Sequence, residues 1–365
     1  MSHYRFLIVL LILVWGLTGC APAAVAPTSA VVATQPPADA ELPSAVSQTP
    51  ADEVQGKLVI YSGRSEALIQ PVLDAFKAKY PQIEILLKAG SNSELANALL
   101  EEAANPVADV FITTELFTVQ SLAMQDVFQS YLPADADQLP AEFIGQDLTW
   151  IGLTRRARVI MYNSELVSAQ EAPKSIFELT DTKWKGQIAA AGTTNGSMQA
   201  QIAAMRQLLG EEATEEWLKG LLSNEVTFFG GHTDVRKAVG SGEFKIGLVN
   251  HYYFYLQQAE GSPVGVVFPD QGEGEIGLIT NATAAGIVKG APNLAAAQAF
   301  MDFLISPEGQ KLFAELNYEY PLRAGVPLRQ GVQPLEGFRL AAVDVVKAAL
   351  DFEATFDLME RVGLP

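Results

Sequence analysis

The 365-residue chain has one cysteine and three histidines. A lone thiol, Cys20, supports neither a disulfide framework nor a cysteine-cluster metal site. His3, His232 and His251 are too few to suggest a histidine-rich zinc site. Positive charge is also scarce: Lys+Arg 24 against Asp+Glu 42 leaves a net charge of −18. Nucleic acids and anionic membranes demand basic patches, so an acidic surface disfavours both, although a local basic pocket remains compatible. No internal repeat, Walker A sequence or G-x-S-x-G elbow occurs, and beyond the first residues no apolar run approaches membrane-spanning length. Hydrophobic residues at 49% and charged residues at 18% describe a globular protein and exclude overall disorder. After about 20 residues of export signal and roughly 35 of linker, about 310 remain, which suits two lobes better than one core.

The N-terminus reads MSHYRFLIVLLILVWGLTGC. Arg5 supplies the positive start, and residues 6–17 form an apolar run short for a membrane span. Leu17-Thr18-Gly19-Cys20 resembles the bacterial lipoprotein signal, which implies cleavage after residue 19 and lipid modification of Cys20. From 20 to 55 the chain is Ala, Pro, Ser, Thr, Val and Gln with four acids and no Lys or Arg. This composition predicts a disordered tether. The folded part is therefore expected outside the cytoplasm, near a membrane but not in it.

Residues 57–61 (KLVIY), 83–87 (IEILL) and 108–112 (ADVFI) read as short strands. Between them Leu68, Val72, Phe76 and Tyr80 make one helical stripe, and Ser91 with Glu94 forms a capping box before a second helix. Strand–helix alternation over about sixty residues predicts a parallel α/β sheet. Ligands of such sheets sit at the carboxyl ends of strands, where loops meet helix N-termini. Tyr61-Ser62-Gly63-Arg64 and Thr113-Thr114-Glu115 occupy two of those positions. Residues 149–163 (TWIGLTRRARVIMYN) predict an extended crossover into a second α/β lobe, residues 276–288 an extended return, and residues 340–359 one long final helix. Lobe 1 is expected over 56–158 plus 281–330, and lobe 2 over 159–280 plus 331–365. Two lobes joined by extended crossovers form a hinge, with the ligand between them.

Gly272-x-Gly274-x-x-Gly277 matches a dinucleotide-binding spelling, but β-prone Leu278-Ile279-Thr280 follows where a helix is required, and Glu273 and Glu275 would repel phosphate. It reads as a surface turn. Among 42 acids chance carboxylate pairs are inevitable, and neither His232 nor His251 lies in a nucleophile motif, so nothing specific supports catalysis. Asn250-His251-Tyr252-Tyr253 follows a strand and opens a helix. Adjacent tyrosines at such a turn can lean into one cleft. A phenol loses its proton near pH 10, so it ligates only where a hard, highly charged cation such as Fe³⁺ stabilises the phenolate. The other reading of these rings is an aromatic wall.

YSGR at 61–64, VIMYN at 159–163, NHYY at 250–253 and EYPL at 319–322 resemble, in that order, the ferric-ion-binding proteins of bacterial ABC importers. YSGR, EYPL and the helix motif SPEGQ at 306–310 also occur in related binders of other solutes, and the Tyr-Tyr pair with the tyrosine of VIMYN is the specific part. The resemblance implies a two-lobe periplasmic-binding-protein type II fold, α/β in class, and no enzymatic activity. Its implied cargo is Fe(III), held by Tyr162, Tyr252 and Tyr253. A synergistic anion such as carbonate would sit on Arg64, Ser62 and Gly63. Glu66, Glu115, Asn195 and Ser197 are additional cleft candidates. The chain departs from relatives that place His or Tyr just after the first strand, where it has Ser65 and Glu66. The implied partners are a permease and its ATPase, with membrane attachment only through Cys20, no nucleic acid and a monomeric state. The alternative is the same fold binding an organic or phosphorus-containing anion through Arg64, with the tyrosines as walls.

Overall fold

A computed structural model describes residues 54–365. The expected signal peptide, the lipidation of Cys20 and all but the end of the tether fall outside the described residues. Val54, at the start of the described chain, is already buried in the first core. Among the described residues no helix is long and apolar enough to cross a membrane.

The elements run β1 (Gly56–Ser62), α1 (Glu66–Lys79), β2 (Ile83–Ala89), α2 (Asn92–Glu101), β3 (Val110–Thr113), α3 (Leu116–Met124), β4 (Ile151–Asn163), β5 (Ile188–Ala191), α4 (Gly196–Leu209), α5 (Glu211–Ser223), β6 (Thr227–Phe229), α6 (His232–Gly240), β7 (Ile246–Asn250), α7 (His251–Ala259), β8 (Val264–Val267), β9 (Thr280–Ile287), α8 (Leu294–Ile305), α9 (Pro307–Asn317), β10 (Tyr320–Pro321), α10 (Val345–Leu350) and α11 (Glu353–Val362). The strand–helix alternation of the first sixty folded residues is as the sequence predicts. The Ser91 side chain accepts from Glu94 N, as the capping box requires.

The sheet order is β2-β1-β3-β9-β4-β7-β5-β6, with β10 and β8 both added to β4. β1, β2 and β3 are parallel, and so are β5, β6 and β7. β9 and β4 run antiparallel to their neighbours. The sheets are thus mixed rather than purely parallel, because the strands that cross between lobes enter against the direction of those already there. The pivot is β4. Its residues Ile151 to Ala157 pair with β9, and from Arg158 to Tyr162 it pairs with β7. One unbroken strand therefore serves both lobes.

The first lobe's core joins Leu58, Ile60, Phe76 and Phe111 to Phe300 and Phe303 of α8. The second lobe's sheet is covered on both faces. Ile160 and Tyr162 point into one core, and Ala157, Val159 and Met161 into the other, following the two-residue period of a strand. The single C-terminal helix expected over 340–359 is instead two. Asp344 caps α10 through Lys347 N, and Arg206 captures the Asp351 carbonyl at 2.9 Å and its carboxylate at 2.8 Å. The helix is thereby stopped before α11 begins. The glycine-rich stretch after Asp270 is a turn that leads into β9, with no helix behind it.

Tyr162 lies under β8, where a Cβ on Gly265 would collide with its ring. Replacing Gly265 by Ala is expected to lower unfolding free energy by about 1–3 kcal/mol through overpacking, measured by urea denaturation. Combining it with Tyr162→Leu should recover part of that loss.

Candidate functional site

A cavity of about 460 Å³ opens between the lobes. Its walls are helix N-termini at strand carboxyl ends. Gly63 and Arg64 before α1, Asn92 at the start of α2 and Thr114 before α3 face Asn195–Ser197 at the start of α4, His232 at the start of α6, and Tyr252 and Tyr253 at the start of α7. Arg156 of the crossover strand also reaches it. Helix N-termini present unpaired N–H groups and favour anions.

Tyr252 and Tyr253 come together as the sequence suggests, with ring centroids 4.3 Å apart and planes 33° from parallel. Burial first, and then the neighbouring Tyr252 phenol, push the Tyr253 hydroxyl well above its ordinary pKa, while Arg64 and Arg156 pull the other way. Tyr253 therefore keeps its proton at neutral pH. The ring of His232 meets Tyr253 edge-on at 5.2 Å.

These helix starts are tied together by Arg158, a fully buried side chain. Its Nε donates to Gln201 at 2.8 Å, and its Nη1 donates to Asn250 Oδ1 at 3.1 Å and to His232 Nε2 at 3.0 Å. Asn250 in turn donates to Ser197 Oγ at 2.9 Å. A guanidinium only donates, so Nε2 of His232 is the acceptor and Nδ1 carries the proton. Burial and then Arg158 hold His232 well below its ordinary pKa, so it is neutral. Burial pulls Arg158 itself down to about 9, opposed by the two phenols.

Arg64 sits where expected, but its donors are engaged. Both Nη atoms bind Glu319, and Nη1 also donates to Thr283 at 2.9 Å. Only Nε is left without a partner. Burial opposes charge on both partners; their attraction prevails, leaving Glu319 below and Arg64 above the ordinary values. Arg64 is therefore held by an internal carboxylate and does not present its paired donors to an anion. Ser62 closes the same turn, its Oγ accepting from Arg64 N at 3.2 Å. Gly63 leaves room for Asn92, whose Oδ1 a Cβ would strike.

The remaining candidates divide. Tyr162 does not join the pair. It lies opposite Ile246, the first residue of β7, whereas the cavity is at the far end beyond Asn250. Four residues of strand make roughly 13 Å, and its ring belongs to the apolar core. Glu66 is exposed at the start of α1 and is not among the residues lining the cavity. Glu115 is buried as the N-cap of α3, and its carboxylate accepts from Phe117 N at 2.6 Å and from Thr118 N at 3.0 Å. Burial raises its pKa despite those bonds. It caps a helix and has no lone pair directed at the cavity to spare. Asn195 and Ser197 do line the cavity; Asn195 Oδ1 accepts from Ser197 N at 3.1 Å and Met198 N at 3.3 Å. Among the described residues no group of three His, Cys, Asp or Glu side chains could hold a metal, so the ionisable oxygens lining the cavity are the two phenols.

Sequence reasoning missed Arg156. It is 2% exposed, and its Nε and Nη2 have no partner. The signal was present in TRRARV: Arg156 and Arg158 fall on one face of an otherwise apolar strand, where buried cations need an anionic or polar partner.

Residues 105–336 match the sequence profile of the bacterial extracellular solute-binding proteins. Iron uptake protein A1 of Synechocystis is 33% identical over 328 residues, covering 87% of this chain and 89% of its own. The Fe(3+)-binding periplasmic protein of Serratia marcescens is 29% identical, covering 84% and 90%. Iron-bound HitA from Pseudomonas aeruginosa superposes with a TM-score of 0.78 at 28% identity, covering 84% of this chain and 99% of that one. The likeness spans both lobes and the crossovers, so the fold is that of the two-lobe periplasmic binding proteins.

The Arg64–Glu319 pair sets an acid sensitivity. A carboxyl held below its unfolded value adds stability above the ordinary Glu range and loses it as the pH falls through the folded value. Stability should therefore drop below about pH 4. Glu319→Gln, which strands a buried guanidinium, should cost about 3–5 kcal/mol at pH 7 and flatten that acid slope, both read from urea unfolding at pH 7 and pH 4.

Proposed function

Because the chain belongs to the bacterial extracellular solute-binding proteins, we propose that it captures Fe³⁺ in the interlobe cleft and delivers it to the permease and ATPase of an ABC importer. The observation that carries this reading is the Tyr252–Tyr253 pair at the start of α7, with both rings facing one cavity. Phenolate oxygen suits a hard trivalent cation, and the iron relatives support the choice.

Two phenolates neutralise two of the ion's three charges. Arg156 adds one positive charge beside them. A divalent anion such as carbonate balances the sum, fills remaining coordination positions and accepts from the unpartnered Nε and Nη2 of Arg156. The N-terminus of α4 at Asn195–Ser197 lies on the same cavity and favours the same charge. In this reading the anion's arginine is Arg156, and Arg64 holds the frame.

The lobes are assigned as 56–158 plus 281–330 and 159–280 plus 331–365, with the hinge where β4 changes partner. The protein acts as a monomeric lipoprotein. Residues 1–19 are removed, Cys20 carries the lipid, and the segment to residue 55 lets the binding domain reach its permease. Ligation displaces phenol protons, so iron affinity falls with acid.

The test uses metal-stripped protein lacking residues 1–20, titrated with Fe³⁺ and bicarbonate while visible absorption is recorded. A broad phenolate-to-iron charge-transfer band should appear at one equivalent. Tyr252→Phe and Tyr253→Phe should each weaken the band and lower affinity by more than about a hundredfold, since even an outer-shell partner can cost that much. Arg156→Gln should abolish the bicarbonate dependence, and Tyr162→Phe should change nothing. A folded protein with no band would overturn the iron reading and favour an organic or phosphonate anion in the same cleft.

A further inference from the structure

The two lobes meet across the cavity at the first residue of α4. A Cβ built on Gly196 would stand 2.5 Å from Asn92 Nδ2 and 2.8 Å from Thr114 Oγ1. These two neighbours are bonded to each other. Asn92 is 3% exposed, and its Nδ2 donates to Thr114 Oγ1 at 2.9 Å. Its Oδ1 accepts from Thr114 N at 3.2 Å, and behind that oxygen lies Gly63, which itself has no room for a side chain. In the first lobe Asn92 begins α2 and Thr114 directly follows β3; Gly196 belongs to the second lobe.

The same face of α4 continues with Ala200 and Ala203, at helical spacing from Gly196. With Phe117 of α3, Ala348, Ala349 and Phe352 they form a small apolar cluster separate from the two lobe cores. On this flank α10 is fastened to α4 by polar bonds, Gln207 exchanging 3.1 and 2.9 Å hydrogen bonds with the Asp344 backbone. In this cluster the first lobe is touched through apolar contact alone, Phe352 against Phe117 at 5.6 Å. Directional bonds resist sliding, whereas apolar contacts between small side chains permit it.

We propose that Gly196 is the closing residue of the cleft: its missing side chain lets the lobes meet over the cargo, and its size sets how firmly the cargo is retained. The proposal rests on the iron reading for its cargo but not for its geometry. The backbone at Gly196 lies outside the left-handed region, so alanine fits locally and is the better helix former. A residue that served only the second lobe would therefore tolerate or welcome it.

The experiment compares wild type, Gly196→Ala and Gly196→Leu. Iron-loaded proteins with bicarbonate are mixed with excess EDTA and loss of the charge-transfer band is timed, while iron-free samples are melted and both forms are measured by small-angle scattering. Gly196→Ala should release iron about tenfold faster and Gly196→Leu faster still. Gly196→Ala should still form the band at excess iron and bicarbonate, because the tyrosines are untouched, and should melt no lower than wild type. Both variants should have larger radii of gyration than wild type. Equal release rates and equal radii, or a lower melting temperature for Gly196→Ala, overturn the proposal. A wild type without a band would fail the iron reading alone; the radii would then decide for or against Gly196.

Discussion

The buried ion pair between Arg64 and Glu319 is the interaction on which the arrangement of the cleft depends. It joins the first strand-to-helix turn to the α9–β10 corner, and Thr154 and Thr283 bring both crossover strands to the same carboxylate and guanidinium. The residue before Glu319 continues the chain of contacts. The Tyr318 carbonyl lies 2.9 Å from His251 Nε2, and His251 Nδ1 accepts from Ala157 N at 3.2 Å. That pattern fixes a neutral imidazole, which burial holds down to about 3. The imidazole stacks on Tyr320 at 4.1 Å and is followed in sequence by the two cleft tyrosines. The pair thus aligns the first lobe, the hinge strands and the tyrosine-bearing helix through one continuous set of buried polar contacts. Buried ion pairs contribute little net stability, but removing one partner is costly, which suits a frame that must not drift.

The same accounting explains why the cleft looks cationic in an acidic protein. Three arginines lie within or beside it, and they are matched differently. Arg64 is matched by a carboxylate and Arg158 by amide, imidazole and helix-start groups. Arg156 is left with free donors. Arg156 has two such donors, Nε and Nη2, where Arg64 and Arg158 keep one each. Net charge therefore says little about the site: the acids are spread over the surface, and the one carboxylate buried beside the cleft arginines, Glu319, is already spoken for.

Much of this was legible along the chain. The β1–α1–β2–α2–β3 unit follows from apolar spacing and one capping box, and the crossover from its unbroken extended run. The tyrosine pair is visible because two adjacent phenols at a strand-to-helix turn are hard to place in a core. What failed was anything set by register between distant strands. The run VIMYN identifies Tyr162 but not which end of the sheet it occupies; that depends on pairing with Ile246. Arg64 looks like a free anion donor until Glu319, 255 residues away, is folded against it. Arg156 and Arg158 stand two apart, yet their fates differ because one faces the cavity and the other the roots of three helices. Gly196 gives no signal at all, since its consequence lies in residues of the opposite lobe.

On the proposed iron reading both phenols that hold the ion come from one helix of one lobe, and this sets an order of events. A cation can be taken up by the second lobe while the cleft is still wide, since no first-lobe side chain is needed to form those two bonds. Closing then adds shelter rather than ligands. On the way out the asymmetry is reversed. Prising the lobes apart exposes the ion to water but leaves its strongest bonds intact, so mechanical opening by a membrane partner is not in itself unloading. Something must still compete for the phenolates, by protonating them, reducing the metal or supplying other oxygens. The architecture therefore separates permission to leave from the act of leaving.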